Sequence, residues 1–328
     1  MHHLGRRADR VPDRARGAPG HGQYRDQTLA RPVARSAVLV HNPGAGRQRD
    51  RFHSIARMVD ALRRHDIAVT PRITAAPADA TRLAAEAVAA RADLVIVHGG
   101  DGTVNEAIQA LVGTATPLAV WPSGTSNVLA RELGLPGSLD LVARVIAGGA
   151  IRRVSVGRAG ERYFLLMAGV GLDAEVVRSV NPGLKRLGGE GAYWMAGLRQ
   201  LTDWNPVPFM VETEGGRHSA TFAVVANAAS YGGGLRFAPE ASMDDDLLDL
   251  CLFDSTQRHR FARYLAAALS GSHLGLPGVS YVKTRRAVAH GPDSRLVHVD
   301  GELLGRLPVS FDCVPVALSL VVPVKPSP

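Results

Sequence analysis

The stretch DLVIVHGGDGTVNEAIQALV, residues 93–112, changes character in its middle. DLVIVH (93–98) is an apolar run of the length of one buried strand, and TVNEAIQALV (103–112) has helical spacing. Between them three glycines surround Asp101. Glycine costs backbone entropy unless the chain bends sharply or approaches something closely. A single carboxylate set among glycines points to a charged ligand or a metal as well as a turn. Strand, glycine loop and helix in that order form the unit of a parallel α/β sheet, where ligands gather at the carboxyl ends of the strands.

The same unit recurs on both sides. SAVLVH (36–41) is a short strand closed by NPGAG (42–46), and Phe52, Ile55, Val59 and Leu62 then fall on one helical face. IAVTPRIT (67–74) reads as a strand and TRLAAEAVAARA (81–92) as a helix. PLAVW (117–121) is another strand, followed by PSGTSN (122–127) and a short helix around VLAREL. SLDLVARVIAGG predicts a helix with Ser138 as its N-cap and Gly148 and Gly149 as its stop. Residues 36–151 are therefore expected to form an α/β domain, a parallel sheet with flanking helices. After residue 152 strand-like runs follow one another, among them IRRVSVGRA, RYFLLMAGV, SATFAVVANA, SYVKTRRAVA and RLVHVDGE. Only 256–271 and part of 172–204 look helical. Residues 152–328 are expected to form a β-rich sandwich domain, with room for the last residues to pack back on the first domain.

Composition sets the outer limits. The 328 residues are 46% hydrophobic, enough for a large core and two domains. No apolar run approaches the roughly 20 residues that span a bilayer, and no signal-peptide core is visible. Residues 1–35 hold eight Arg against three Asp, five of the eight net positive charges, without apolar periodicity. They are expected to be a disordered tail. The remainder lacks the interleaved basic and aromatic residues of a dedicated nucleic-acid binder, while its mild positive balance suits anionic substrates or an anionic membrane surface. Cys251 and Cys313 lie in apolar, strand-like runs and are expected to be buried free thiols in a reducing cytoplasm.

Three turn-rich loops, NPGAG, GGDGT (99–103) and PSGTSN, each join a strand to a helix, so each can offer main-chain N–H groups to an anion. Ordinary βα turns also favour Gly, Ser and Asn, and for any one loop that reading is as good. Three on one rim, with Asp101 among the glycines, favour a nucleotide. No GK[ST] follows any glycine loop, so a P-loop lysine is absent. Asp300 and Glu302 close the alternating run RLVHVDGE. If that segment is extended, residues i and i+2 share a side and both carboxylates face one cleft. Such a pair next to a nucleotide can serve as a base or recruit magnesium. The alternative is a hairpin turn whose acids face water.

GGDGTVNE at 99–106, NPGAG at 42–46 and PSGTSNVLAREL at 122–133 together resemble the catalytic domain of the diacylglycerol kinase family, closest to the bacterial soluble lipid kinases. GVGLDAEVV (169–177), ANAASYGGGLRFAPEASMDDDLLDL (226–250) and HVDGE (298–302) extend the resemblance over about residues 36–325. It implies an ATP-dependent lipid kinase using Mg2+, peripheral to the inner face of the cytoplasmic membrane. Its partner would be a lipid presented at that surface, and a homodimer is compatible with it. ATP would be held by Asn42, Pro43, Gly44, Ala45, Gly46, Thr74, Gly99, Gly100, Asp101, Gly102, Thr103, Asn105, Glu106, Thr125 and Asn127. Asp101 would lie near the phosphates and metal, and Glu302 or Asp300 would take the proton of the lipid hydroxyl. Asp245, with the carbonyls of Ser242 and Leu247, matches a magnesium-binding turn. That turn usually reads DDGLLD, and Asp246 here replaces its glycine, so a left-handed backbone is expected at Asp246 at some cost. GGDGT is shared with NAD kinases, so a kinase of NAD or another small alcohol stays open, as does a non-catalytic nucleotide- or lipid-binding regulator.

Other features read more plainly. GVGLDA fits a dinucleotide pattern but lies outside the alternating half. His98 reads as a packed side chain. Residues 181–206 mix Lys185, Arg186 and Arg199 with Tyr193, Trp194 and Trp204, a candidate surface for admitting lipid. Gly232, Gly233 and Gly234 suggest a close backbone approach or lid beside the cleft.

Overall fold

The computed structural model describes residues 28–29, 34–46, 51–179, 205–230, 235–293 and 295–324. The lipid-admitting segment and the glycine lid expected from the sequence fall almost wholly outside the described residues.

The N-terminal half is the α/β layer that the glycine loops anticipate. Its strands are β2 (Ser36–His41), β3 (Ala68–Ile73), β4 (Leu94–Gly99) and β5 (Leu118–Pro122), all parallel and laid side by side in the order β5-β4-β2-β3. Helices α1 (Arg51–Arg63) and α5 (Leu139–Gly148) cover one face, and α2 (Asp79–Ala89) and α3 (Asp101–Leu111) the other. Between α3 and α5 lies the short α4 (Val128–Glu132). Every residue of β4 is buried because the strand is covered on both faces. Its side chains alternate accordingly: Leu94 and Ile96 pack toward α1 and α5, Val95 and Val97 toward α2 and α3. The Ser138 hydroxyl accepts the Leu141 N–H at the start of α5, and Gly149 closes that helix.

The stretch expected to be a tail is not wholly outside the fold. Thr28 and Leu29 form β1 and pair with Arg152 and Ile151 at the start of β6 (Ala150–Ala159), and Ala34 is buried.

The C-terminal half is an antiparallel sandwich. One layer is a six-stranded sheet in the order β13-β12-β11-β8-β15-β16: β13 (Val279–Thr284), β12 (Leu248–Phe253), β11 (Phe222–Ala226), β8 (Met167–Val170), β15 (Leu296–Val299) and β16 (Glu302–Arg306). Facing it are β6, β7 (Arg162–Phe164), β9 (Phe209–Thr213), β10 (Gly216–Ala220), β14 (Arg286–His290) and β17 (Val309–Val322), which belong to the same sheet as the parallel strands. Phe164, Phe209 and Phe311 from this layer meet Val170, Val225 and Leu250 from the other. Helices α6 (Leu172–Ser179) and α7 (Arg258–Ser270) cover the outer face of the six-stranded sheet. No helix among the described residues is long and apolar enough to cross a membrane.

Three runs that read as single strands are each divided between the two layers. RYFLLMAGV breaks into β7 and β8 at Leu165 and Leu166, SATFAVVANA into β10 and β11 at Thr221, and SYVKTRRAVA into β13 and β14 at Arg285. Strands turn such corners when the chain passes from one sheet to the other. The long β17 joins the two halves. It pairs with β6 along both of its parts and with β14 in the first; Leu320 in the second also lies opposite Leu118 of β5, in parallel. A register shift between Val314 and Leu318, with Val316 at φ 51, bends the strand between these roles.

Candidate functional site

The three glycine loops lie against one another at the carboxyl ends of β2, β4 and β5. Each needs a missing side chain to do so. A β-carbon on Gly46, which has φ +72, would fall on the carbonyl oxygen of Ser123, and one on Gly100 would sit 3.2 Å from Cα of Gly124. The loops also share main-chain bonds: Asn42 N–H donates to the His98 carbonyl at 3.0 Å and Ser123 N–H to the Gly99 carbonyl at 2.9 Å. Thr74, buried after β3, donates its N–H to the His41 carbonyl at 2.9 Å. Beneath this rim His98 is stacked between His41 and Trp121, a packed side chain as its sequence context suggests.

The polar side chains of the loops mostly shape the loops themselves. Asn42 donates through Nδ2 to Thr103 Oγ1 at 2.9 Å, and its Oδ1 accepts the Gly44 N–H at 2.8 Å. Ala45 N–H returns to the Asn42 carbonyl, so Pro43 and Gly44 form a closed turn. Asn127, left-handed at φ 44, accepts the Gly124 N–H on Oδ1 and donates Nδ2 to the Gly124 carbonyl. Thr125 is exposed at the tip of that ring. With these side chains and the N–H groups of Asn42, Gly44, Ala45, Ser123 and Gly124 engaged within the loops, the first turn of α3 and the exposed Thr125 are what the rim presents to an anion.

Asp101 and Glu106 are placed differently from the expectation that both touch nucleotide. Asp101 accepts the N–H of Val128 at 3.0 Å on one oxygen and that of Leu129 at 3.1 Å on the other. Its carboxylate thus caps α4, and those two N–H groups are no longer open to an anion. Glu106 accepts the Ala80 N–H at 3.2 Å, while its carbonyl accepts the Thr81 hydroxyl at 2.7 Å, so it secures the start of α2.

The second half meets this rim through the β15–β16 hairpin. Asp300 and Gly301 have φ values of 45 and 81 between the paired residues Val299 and Glu302, a two-residue Asp-Gly turn of the mirror-image type that suits strand twist. The expectation of an extended segment with both carboxylates on one side is therefore corrected: the turn sends them apart. Asp300 is half-buried with its carboxylate turned inward, accepting the N–H groups of Leu166 and Met167 on Oδ1 and that of Leu165 on Oδ2, at 2.9–3.0 Å. Asn105 Nδ2 adds a fourth donor to Oδ2 at 2.9 Å. Burial pushes this carboxyl above its ordinary range, while the four N–H donors oppose the shift. A protonated acid would set its own O–H against a donor, so the surroundings fit the ionised form. Asp300 has no capacity left for a substrate. It holds the corner where β7 gives way to β8.

Glu302 is on the open side of the turn, with its side chain 41% exposed. A β-carbon on Gly102 would lie 3.0 Å from its Oε1, so this carboxylate faces the GGDGT loop directly. Arg162 Nη2 donates to Glu302 Oε2 at 2.7 Å. The same guanidinium donates through Nε and Nη2 to Asn105 Oδ1, at 3.1 and 2.7 Å. Arg162 carries no motif, and only its position at the start of RYFLLMAGV marks it in the sequence; its neighbours come from residues 105 and 302. Gln109 is equally silent, exchanging bonds with both main-chain groups of Tyr163.

The Ser242–Leu247 turn is anchored through other residues. Arg152 holds Asp244 with two bonds, at 2.7 and 2.6 Å, and Arg285 pairs with Asp246. Asp246 is not among the residues with positive φ, which corrects the expected left-handed backbone there. The replacement of glycine adds an ion pair without backbone strain. Asp245 accepts the Leu247 N–H at 3.2 Å, and burial, aided by nearby Asp249, raises its pKa. A cation would relieve that cost, and Asp245 with the two carbonyls is a hard oxygen set suited to Mg2+. No group of three or more His, Cys, Asp or Glu side chains fit to hold a metal occurs among the described residues. Such an ion would lean on carbonyls and water. Both cysteines are free, Cys251 buried as expected and Cys313 only partly buried, with burial pushing the Cys313 thiol up to about 12.

Comparison with known proteins adds independent findings. Residues 36–159 match the diacylglycerol kinase catalytic domain, and residues 167–322 match the YegS C-terminal NAD kinase beta sandwich-like domain. A diacylglycerol kinase of Bacillus subtilis is 30% identical over 280 residues, covering 84% of this chain and 92% of the relative. One from Mycobacterium tuberculosis is 34% identical over 254 residues, 75% and 82% of the two chains. Among solved structures, a diacylglycerol kinase from Bacillus anthracis superposes with a TM-score of 0.71 at 26% identity, covering 90% of this chain and 99% of that one.

Proposed function

The chain belongs to the diacylglycerol kinase family, and from that premise we propose that its cleft transfers the γ-phosphoryl group of ATP to a hydroxyl of diacylglycerol or a related lipid. The observation that carries this reading is the approach of Glu302 Oε1 to Gly102, which sets an exposed carboxylate of one half against the glycine loop of the other.

In this reading the nucleotide phosphates lie on the rim made by Asn42, Pro43, Gly44, Ala45, Gly46, Thr74, Gly99, Gly100, Gly102, Thr103, Thr125 and Asn127. Asp101, Asn105 and Glu106 support it from behind through the bonds described above. Main-chain N–H groups in the first turn of α3 offset phosphate charge without a P-loop lysine. Glu302 accepts the proton of the lipid hydroxyl as its oxygen attacks the γ-phosphorus. The bond from that phosphorus to the bridging oxygen breaks, and ADP leaves with the electron pair. Asp300 is assigned to holding the hairpin. Ser242, Asp245 and Leu247 would hold Mg2+, which when bound supplies positive charge to offset acidic groups. The acceptor reaches the cleft from a membrane surface, the protein resting peripherally on its inner face, and the net charge of +8 favours anionic lipid there.

The test is mass spectrometry of a total lipid extract incubated with the protein, ATP and Mg2+, with a parallel incubation containing NAD. Phosphorylated lipid with wild type and at least about a hundredfold less with Glu302→Gln is the expected result. Phosphorylation of NAD in place of lipid would overturn the assignment.

A further inference from the structure

We propose that Arg162 is a positioning residue for phosphoryl transfer, fixing the carboxylate of Glu302 in the orientation that takes the acceptor's proton; this rests on the reading of Glu302 as the base. Glu302 stands at the start of β16 with its side chain 41% exposed. An exposed glutamate can change rotamer about several bonds. General-base catalysis needs one orientation within hydrogen-bond reach of the acceptor hydroxyl. Something must restrict the side chain, and the 2.7 Å bond from Arg162 to Oε2 does so.

A tether is useful only if its other end is fixed. Arg162 opens β7 and pairs with Ala159 of β6, so its backbone is set by the sheet. Its guanidinium is held by two bonds to Asn105 Oδ1. Asn105 is 1% exposed, and its amide has only one workable orientation. Nδ2 faces two acceptors, Asp300 Oδ2 and the Tyr163 carbonyl, while Oδ1 faces the Arg162 donors. Asp300 is locked in turn by three main-chain N–H groups. A relay of fixed groups therefore runs from the inward-facing carboxylate of Asp300 through Asn105 and Arg162 to the exposed carboxylate. It ties the helix of the GGDGT loop to the hairpin that faces it. The planar fork of arginine can bridge Asn105 and Glu302 at once, whereas the point charge of lysine holds one partner well at a time.

The contact with Glu302 is partly exposed, and such pairs add little to folding. Arg162 also satisfies the buried Asn105 Oδ1, so turnover and stability are separated by comparison with the double variant. Full-length protein is assayed with radiolabelled ATP, Mg2+ and mixed micelles of diacylglycerol and anionic phospholipid. Arg162→Ala is expected to lower kcat by about tenfold to a hundredfold with KM for ATP little changed, and to lower the melting temperature modestly because Asn105 Oδ1 loses its donors. Arg162→Lys recovers part of the loss. In a Glu302→Gln background, where no base remains to be positioned, Arg162→Ala adds less than about twofold. A loss that multiplies equally in both backgrounds, or full kcat in Arg162→Ala, overturns the inference while the role of Glu302 stands. Wild-type kcat in Glu302→Gln itself overturns the base assignment, and this inference with it.

Discussion

Asn105 and Asp300 are 195 positions apart in the chain and 2.9 Å apart in the fold. One sits in the helix after the glycine loop, the other in the hairpin turn of the opposite half, and their bond joins the two halves. The two acids of the DGE segment consequently have separate duties, which mutation should resolve. Glu302→Gln is expected to reduce kcat by about a hundredfold to ten-thousandfold with little change in melting temperature. Asp300→Ala strands three buried main-chain donors and should cost about 3 kcal/mol or more of stability. Steady-state kinetics and thermal melts on both variants check the division; equal melting losses would refute it.

The contact of the glycine loops predicts a selective effect on nucleotide. Gly46→Ala puts a methyl on the Ser123 carbonyl at a positive φ, so the first and third loops must part. KM for ATP should rise by about tenfold or more, since small displacements of a positioned group are costly. Gly113 has φ +79 but nothing within 4 Å of an added β-carbon. Gly113→Ala should therefore cost about 1 kcal/mol of stability and leave KM unchanged.

Asp101 carries a prediction of another kind. As the cap of α4 it accepts two N–H groups, and Asp101→Ala should lower stability by about 1–2 kcal/mol. Asp101→Asn keeps one acceptor oxygen and should recover part of that. Denaturant unfolding of the two variants at pH 7 measures the difference.

His273 predicts a pH dependence. It is fully buried among Phe237 and Phe253, with Nε2 on the Phe237 carbonyl at 2.9 Å. Burial lowers its pKa, a shift the carbonyl bond partly offsets. The unfolded chain therefore takes up the proton first. The contribution of neutral His273 is complete above about pH 6.5 and declines as pH falls below it, because protonation favours the unfolded chain. Relative to His273→Gln, wild type should lose melting temperature between pH 7.5 and pH 5.0. An unchanged difference across that interval would count against it.

Much of this arrangement is legible in the chain. The glycine loops at strand ends announce the α/β layer, because a sharp bend after a fully buried strand is what a strand-to-helix connection requires. Pattern alone cannot report where a strand changes partners. Alternation continues through Leu165, Thr221 and Arg285, yet at each the chain crosses to the other sheet, drawn by distant groups such as Asp300. Spacing in DGE suggests two carboxylates on one side, but Asp-Gly with positive φ reverses the chain and turns the first inward onto main-chain donors. Arg162 cannot be singled out from the sequence, since neither of its partners is near it there. Asp246 misleads in the opposite way: a family glycine directs attention to the backbone, whereas what Asp246 brings is a charge for Arg285.

The path of β17 has a consequence for how the protein is made. β5 has β4 on one side and gains its second neighbour only when Leu320 arrives, some 200 residues after Leu118 has left the ribosome. Until then the nascent α/β layer has an open flank of unsatisfied peptide groups, the kind of surface on which chains aggregate. Synthesis that stalls or terminates before this last strand should yield insoluble product, however well the glycine-rich end has folded.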